Sequence, residues 1–449
     1  MQTVKTVLMR LLRIILCLVS VVVKTAIVLT IPAFMMWFNY TVDVSGLFQG
    51  ELAPRDVANM LLEGKTVSNY DKMEERKVLE LYVKNLPEDK VPDTLALGSS
   101  RVMQLNQSIV GGSYYNGGMS GASIMDVMNN WYLFERAGKL PKNLILCVDP
   151  WLFNGVSAET LNRKADAELF NEFLSQGLGI DSGTPPEPAD PYVLVKALLS
   201  PSYFQGNVHH YREQQTHGKP TNEDGSAIPF FPVEGDISQL DYAIKFPDGS
   251  MQYPVSFRNQ TGDQILSGAL EQAGTIAAMH GFSEMDPYWT DLFDQFVQHV
   301  RSKGVNVVFL LTPYHPFIAL HVHNNPQGLE GFFQVEPWLR NYSVLQGIPL
   351  YGSYHPGRSG IPGDLFFDGI HCRGEALQLM FPGIEAALQG QHTSYETQYL
   401  EKYGDVANSR NALIGIDADC AYIDPAWFAA ARAAVPPAEA PAPDTGAAA

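Results

Sequence analysis

The sequence predicts an α/β domain with a parallel sheet, preceded by one membrane-spanning helix and interrupted by a large insertion. Two observations predict this fold class. Short apolar runs without polar alternation recur between longer amphipathic segments, which is typical of parallel strands that are covered by helices on both faces. In addition, residues 14–38 form one mostly apolar stretch near the N-terminus.

The N-terminal segment predicts a membrane anchor. Residues 14–38 are about as long as the ~20 residues that span a bilayer. Because basic residues favour the cytoplasmic side, residues 1–40 are expected to be a cytoplasmic N-terminus and single-pass anchor of the inner (cytoplasmic) membrane, with a periplasmic, extracytoplasmic domain beyond. A cleaved signal peptide is the alternative, although residues 35–38 offer no small-residue cleavage site. The basic residues before the stretch are Lys5, Arg10 and Arg13.

The rest of the chain divides into a helical stalk, the α/β domain, a small helical segment and a disordered Ala/Pro-rich tail. Their predicted bounds are 41–90, 91–390, 391–432 and 433–449, with the insertion at about 155–260. The insertion contains a Pro-rich linker at 183–188 and a predicted hairpin around 247–249.

Within the α/β domain, strands and helices alternate along the chain. Strands are predicted at 94–97, near Tyr114, and at 144–148, 305–311 and 348–351. Helices are predicted at 124–136 and 288–303, and a last one after His371.

Composition excludes several classes of function. The formal net charge of −18 argues against a broad nucleic-acid-binding surface. The four cysteines, at 17, 147, 372 and 420, lack metal-binding spacing, so a zinc site is not expected. No other metal and no cofactor are predicted. His321-x-His323 would bind a metal only together with carboxylates that the sequence does not identify. Cys372 has no base of its own and is interpreted as a packing residue.

Two distant motifs predict nucleophilic chemistry. Gly98-Ser99-Ser100 places a hydroxyl in a tight turn after an apolar strand, and Asp368-Gly369-Ile370-His371 places a carboxylate where it can orient an imidazole. Ser100 would be the nucleophile, His371 the base and Asp368 the orienting residue. The structural alternatives are that either serine caps a helix and that Asp368 is a helix N-cap.

A third motif, Asn116-x-Gly118-x-x-Gly121, lets the backbone approach a reacting group closely. Gly118 N–H is therefore a candidate oxyanion donor. An ordinary Gly-Gly turn is the alternative.

These three motifs, in this order, resemble blocks I, II and V of the SGNH/GDSL hydrolase superfamily. The N-terminal anchor, the Gly-Ser-Ser start and the long insertion resemble its membrane-anchored envelope branch, which includes DltD and the alginate acetylation proteins AlgJ and AlgX. The resemblance implies a flavodoxin-like three-layer fold with Ser100, His371 and Asp368 as catalytic residues. It also implies oxyanion donors from Ser100 and Gly118, and a membrane-bound O-acyltransferase (MBOAT) partner.

The chain departs from the family pattern in block III, which normally supplies an asparagine donor to the oxyanion. Here the strand at 144–148 runs into Asp149, which cannot donate a hydrogen bond when ionised. The third donor is then missing, or is Asn154 or Asn116. Losing one such donor costs about 10²–10³ in rate, which favours slow, partner-assisted transfer over free hydrolysis.

Other candidate residues surround these motifs. Five are expected to contact substrate: Arg101, Asp149, Trp151, Tyr314 and His315. The alternatives are a surface ion pair for Arg101 and a structural role for His315. Aromatic residues of the insertion could form a sugar-stacking surface or the core of the insertion; they are Tyr203, Phe204, Tyr211, Phe230 and Phe231.

The expected function is an O-acyltransferase or esterase that acts on an exported polysaccharide, with O-acetylation as the expected reaction. The rival from another class is a noncatalytic polysaccharide assembly or glycan-binding protein on the same fold. A third hypothesis is a lipid esterase.

Overall fold

The computed structural model describes residues 2–42, 52–68, 73–162, 165–181, 192–217, 232–233, 235–275, 279–359, 361–381 and 384–389. The predicted Pro-rich linker at 183–188, the segment 391–432 and the tail 433–449 lie outside these residues.

The described residues form seventeen α-helices and eight strands. The helices are α1 (Gln2–Val42), α2 (Leu52–Leu62), α3 (Glu75–Asn85), α4 (Gln107–Val110), α5 (Ile124–Arg136), α6 (Gly155–Asn162), α7 (Ala167–Glu172), α8 (Val193–Leu198), α9 (Pro201–His217), α10 (Val255–Arg258), α11 (Gly262–Thr275), α12 (Pro287–Ser302), α13 (Pro316–Asn324), α14 (Phe332–Gln346), α15 (Pro356–Ser359), α16 (Gly374–Met380) and α17 (Ile384–Leu388). The strands are β1 (Val67–Ser68), β2 (Thr94–Leu97), β3 (Tyr114–Asn116), β4 (Asn143–Cys147), β5 (Ile244–Lys245), β6 (Met251–Gln252), β7 (Asn306–Leu311) and β8 (Leu350–Gly352).

The main sheet has five parallel strands in the order β3-β2-β4-β7-β8. Each of the five predicted strand positions is occupied, which confirms the mixed α/β class with a parallel sheet. The chain moves outward to one side from β2 to β3 and then to the other side from β4 onward. The carboxyl ends of β2 and β4 therefore flank the point where strand order reverses, the usual ligand position in open α/β sheets.

Alternate residues of the central strands are buried on opposite faces of this sheet. In β2, Leu95 and Leu97 belong to one hydrophobic cluster and Ala96 to a second. Helices α5 and α12 contribute Trp131 and Phe296 to the first cluster, whereas α16 and α17 contribute to the second. Both faces are covered, which explains why the strands are continuous apolar runs.

Helices α2 and α3 fall within the predicted stalk, but they do not stand apart from the domain. Val57 of α2 and Leu79 of α3 are buried in the same cluster as the sheet residues Leu95 and Leu144. The segment that follows the anchor is therefore part of the packed α/β domain where the structure describes it.

The predicted hairpin at 247–249 is present and docks beside the main sheet. Strands β5 and β6 pair antiparallel, and β1 adds to β5 to give a three-stranded sheet. The hairpin turn is held at the end of β3, where Asn116 N–H donates to the Asp248 carbonyl at 2.7 Å. Gly249, at φ +76°, lies so close that an added Cβ would be 2.3 Å from the Asn116 carbonyl oxygen.

Helix α1 is long and apolar enough to cross a membrane, judged by length and composition, over Arg13–Val42. It extends beyond the predicted 14–38 at both ends. Pro32 lies inside the helix.

Candidate active site

Ser100 lies directly after β2, in a turn that is shaped by its two preceding residues. Gly98 passes the end of β4 so closely that an added Cβ would be 2.6 Å from Cys147 Cβ. Ser99 caps the following 3₁₀ turn, Ser100–Val102, by accepting a hydrogen bond from Arg101 N–H at 3.2 Å. The capping role thus belongs to Ser99, which leaves the Ser100 hydroxyl free to meet the imidazole.

The structure brings Ser100, His371 and Asp368 together in one hydrogen-bonded row. Ser100 Oγ is 2.8 Å from His371 Nε2, and His371 Nδ1 is 2.8 Å from Asp368 Oδ2. The side chains of His371 and Asp368 are 17% and 11% exposed. The row is thus sheltered while its imidazole still reaches the surface.

Asp368 is held by its own loop as well as by the imidazole. Its Oδ1 accepts hydrogen bonds from the backbone N–H groups of Ile370 and His371, at 2.8 and 2.7 Å. It does not cap α16, whose N-cap is Arg373. Burial by itself raises the pKa of the Asp368 carboxyl, but the positive charge and hydrogen bond of His371, together with the bond from Gln272, lower it to about 2.

Gln272 of α11 supports this loop and was not identified from the sequence. Its Nε2 donates to Asp368 Oδ2 at 3.0 Å, and its Oε1 accepts from Gly369 N–H at 2.7 Å. The approach is close because position 369 is glycine: an added Cβ would be 2.6 Å from Gln272 Oε1. A single glutamine in a helix gives no sequence signal for such a contact.

The expected oxyanion donors other than Ser100 are engaged elsewhere. Gly118 N–H donates to Asn116 Oδ1 at 2.8 Å, and Asn116 Nδ2 donates to the carbonyls of Val102 and Leu105, both at 2.8 Å. Asn154 Nδ2 donates to the His280 carbonyl at 3.1 Å. The Asn116 amide therefore fixes the glycine turn and has no hydrogen to spare for an oxyanion, which corrects its expected role.

Arg101 is buried rather than poised for an anionic substrate. It forms an ion pair with Asp149 at 2.9 Å, in which both side chains are at most 1% exposed. Its other donors go to the carbonyls of Thr312, Pro313 and Ile370. Arg101 therefore ties the ends of β2, β4 and β7 to the loop that carries the histidine.

The remaining expected substrate contacts are also structural in this conformation. Asp149 is enclosed, and burial raises the pKa of its carboxyl while Arg101 opposes that shift. Trp151 Nε1 donates to the Ala122 carbonyl at 3.1 Å, and the ring of Tyr314 lies 4.0 Å from the Arg101 guanidinium carbon.

His315 is the N-cap of α13, where its Nδ1 accepts from Phe317 N–H at 3.1 Å. Burial lowers the pKa of this imidazole to about 4, so it is neutral near pH 7. Burial likewise raises the pKa of the Cys372 thiol to about 12, in keeping with a packing residue. Among the described residues, no group of three or more His, Cys, Asp or Glu side chains is placed to hold a metal ion.

Aromatic residues from the end of the insertion stand beside the imidazole. The ring of Tyr253 is 5.8 Å from that of His371 and 5.1 Å from that of Phe367, and Phe257 stacks on Phe367 at 5.6 Å. Tyr253 and Phe257 are partly exposed. The expected aromatic surface lies elsewhere: Phe204 and Tyr211 contact α1, while 230 and 231 lie outside the described residues.

A cavity of about 270 Å³ lies apart from this row. It is lined mainly by charged and amide side chains, and the Arg76–Asp126 ion pair at its wall is closed at 2.7 Å. None of Ser100, His371 and Asp368 lines it.

The chain matches no protein-family model and no curated protein.

Proposed function

We propose that the protein is a membrane-anchored serine acyltransferase or esterase of the SGNH type, with a flavodoxin-like domain outside the cytoplasm. The observation that carries the proposal is the row Ser100–His371–Asp368, with two successive distances of 2.8 Å. This is the arrangement of nucleophile, base and orienting carboxylate that activates a serine. Its position at the carboxyl end of β2, where the strand order reverses, also suits a ligand site.

In the proposed mechanism, Asp368 keeps a proton on His371 Nδ1, so that Nε2 is free to accept one. Ser100 Oγ attacks the acyl carbonyl carbon while its proton moves to Nε2, and the carbonyl oxygen takes up negative charge. His371 then protonates the departing alkoxide, which leaves an acyl group on Ser100. A second hydroxyl, from a sugar or water, loses its proton to Nε2 and removes the acyl group by the reverse sequence.

Oxyanion stabilisation rests on fewer donors than in a fully equipped hydrolase. Ser100 N–H accounts for one donor. Gly118 N–H would have to exchange its bond to Asn116 Oδ1 for the oxyanion. One engaged donor costs about 10²–10³ in rate, so slow turnover is expected for transfer and for hydrolysis alike.

The proposed acceptor is an exported polysaccharide, the acyl group an acetyl group, and the acyl source an MBOAT partner in the same membrane. The apolar helix α1 supports a membrane location. The three basic residues that precede its span, Lys5, Arg10 and Arg13, support a cytoplasmic N-terminus. The partly exposed ring of Tyr253 beside His371, with the ring of Phe257 packed against it, supports a sugar over a charged acyl acceptor.

A noncatalytic glycan-binding protein on the same fold is the second candidate. The observation that favours it is the engagement of Gly118 N–H and of the Asn116 amide in bonds to the protein itself. Such a protein would keep Ser100, His371 and Asp368 in place but would not catalyse acyl transfer or hydrolysis.

Labelling with a fluorophosphonate probe separates the two candidates. The full-length protein in detergent should be labelled, Ser100→Ala should abolish labelling, and the exposed-serine control Ser108→Ala should not change it. His371→Ala should reduce the labelling rate more than Asp368→Ala does, because Asp368 orients the base and takes no proton. Equal labelling of the wild type and Ser100→Ala would refute the enzyme and leave the binding protein.

A further inference from the structure

Two helices of the insertion, α8 and α9, pack against the C-terminal part of the membrane helix α1. Their contact is aromatic: the ring of Phe204 is 5.2 Å from that of Phe38 and 6.3 Å from that of Phe34. The ring of Tyr211, about two turns further along α9, lies 5.9 Å from that of Phe38. The α8–α9 pair is therefore attached to α1 itself as well as to the α/β domain through the chain.

A buried polar bridge fixes this attachment. Asn39 and Asn207 are both fully buried, and Asn207 Nδ2 donates to Asn39 Oδ1 at 3.0 Å. Asn39 Nδ2 in turn donates to the Leu198 carbonyl at 2.8 Å, at the C-terminal end of α8. Breaking these hydrogen bonds would leave buried polar groups unpaired, which is unfavourable. The α8–α9 pair is therefore fixed at one position along the axis of α1, at the level of Asn39.

The level of Asn39 corresponds to the surface of a bilayer. The apolar part of α1 begins after Arg13, and Asn39 lies 26 residues further on. At 1.5 Å per residue this is about 39 Å, beyond the ~30 Å hydrocarbon core and within the headgroup layer. Trp37 and Tyr40, exposed by 60% and 55%, occupy the same level, which suits their amphipathic rings.

The α8 side of the pair presents apolar residues that the described protein covers only in part. Leu194, Val195 and Leu199 are exposed by 47%, 45% and 43%, and Tyr192 just before α8 by 64%. Lys196 of α8 and Arg212 of α9 are also exposed, and positive charge is uncommon in a chain of net charge −18. Apolar residues flanked by basic ones are typical of helices that lie in the headgroup region.

We propose that the α8–α9 pair docks into the outer headgroup layer of the membrane that α1 spans, as a second attachment of the domain to phospholipid. The inference rests on the membrane anchor proposed above, but not on the chemistry of Ser100. Its occupant is a lipid surface, because α8 packs on the membrane helix α1 and its C-terminal end, next to the partly exposed Leu199, is bonded to Asn39 at the interfacial level. The attachment sets the distance between the domain and the bilayer.

The test uses the full-length protein carrying Cys17→Ala and Cys420→Ala, reconstituted as single copies in phospholipid nanodiscs. Val195→Cys is labelled with an environment-sensitive fluorophore. The matched control is Leu345→Cys, a position on α14 that is 74% exposed. We expect blue-shifted emission at 195, quenched several-fold by lipids that carry a spin label at the headgroup, and neither effect at 345. Asn39→Ala should weaken the quenching at 195 without releasing α1.

Each other result overturns the inference in a distinguishable way. Water-like emission at 195 in filled nanodiscs would refute the docking while leaving the anchor intact. A blue shift without quenching by spin-labelled lipid would assign the surface to a protein contact. Failure of the protein to enter nanodiscs would refute the anchor and the docking together. Fluorophosphonate labelling of Ser100 in the same samples reports on the proposed enzyme separately.

Discussion

Arg101 donates a hydrogen bond from Nε to the Ile370 carbonyl oxygen at 3.2 Å. Because Arg101 follows Ser100 and Ile370 precedes His371, this bond joins the two segments that carry the proposed nucleophile and base. Arg101 and Ile370 are 269 positions apart in the chain. The same guanidinium pairs with Asp149 at the end of β4. The geometry of Ser100 and His371 therefore depends on a buried charge that lies behind them.

Removing the positive charge of Arg101 should lower the free energy of unfolding. Arg101→Met would leave Asp149 buried without its partner, and such losses cost about 3–5 kcal/mol of unfolding free energy. The control Arg136→Met removes the partly exposed pair with Glu172 and should cost about 0–1 kcal/mol. Denaturant unfolding of both variants measures the difference. The double variant Arg101→Met/Asp149→Leu should recover part of the loss, and equal losses for the two arginine variants would contradict the assigned role.

The stability that Asp368 provides should disappear in acid. Its pKa in the folded protein is about 2, below the value of about 3.9 for an unfolded aspartate. Folding thus favours the ionised carboxylate, and the contribution is complete above about pH 5 and lost as the pH falls towards 2. The free energy of unfolding of the wild type should exceed that of Asp368→Asn by about 2 kcal/mol near pH 6, and this difference should close below pH 4. Denaturant unfolding at each pH measures this difference. A difference that stays constant from pH 6 to below pH 4 would contradict a stabilising role of the ionised Asp368 carboxylate.

Much of this arrangement follows from local sequence, and the rest from long-range contacts. The strands were predictable because continuous apolar runs such as 94–97 mark buried parallel strands, and Ser100 and His371 because each lies in a short motif. The burial of Arg101 was not, since a charged residue beside a turn is usually exposed. The contacts of Gln272 and Asn39 could not be predicted either, because each residue bonds to a segment distant in the chain and lies in no local sequence pattern.

Gln272 should act as a positioning residue for Asp368. Gln272→Ala removes two hydrogen bonds from the Asp368 loop, so fluorophosphonate labelling of Ser100 should slow by about tenfold. Because one of these bonds lowers the pKa of Asp368, the pH profile of the unfolding free energy should also shift, with the acid loss of stability beginning at a higher pH. The control Glu271→Ala, exposed on the same helix, should change neither quantity. A slower rate with an unmoved pH profile would reduce Gln272 to a packing role.

Docking of the hairpin beside the site should depend on Gly249. Gly249 and Gly64 have similar φ values of +76° and +79°, but only Gly249 meets a neighbour, the Asn116 carbonyl oxygen at 2.3 Å from an added Cβ. Gly64→Ala should therefore cost only backbone strain, about 1 kcal/mol, and leave labelling unchanged. Gly249→Ala should destabilise the protein by more than that and also slow labelling of Ser100, because Asn116 fixes the Gly118 turn next to Ser99. Thermal unfolding and labelling rates of the two variants measure this contrast. If Gly249→Ala lowers stability but leaves the labelling rate of the folded protein unchanged, the hairpin is a structural support and has no part in shaping the site.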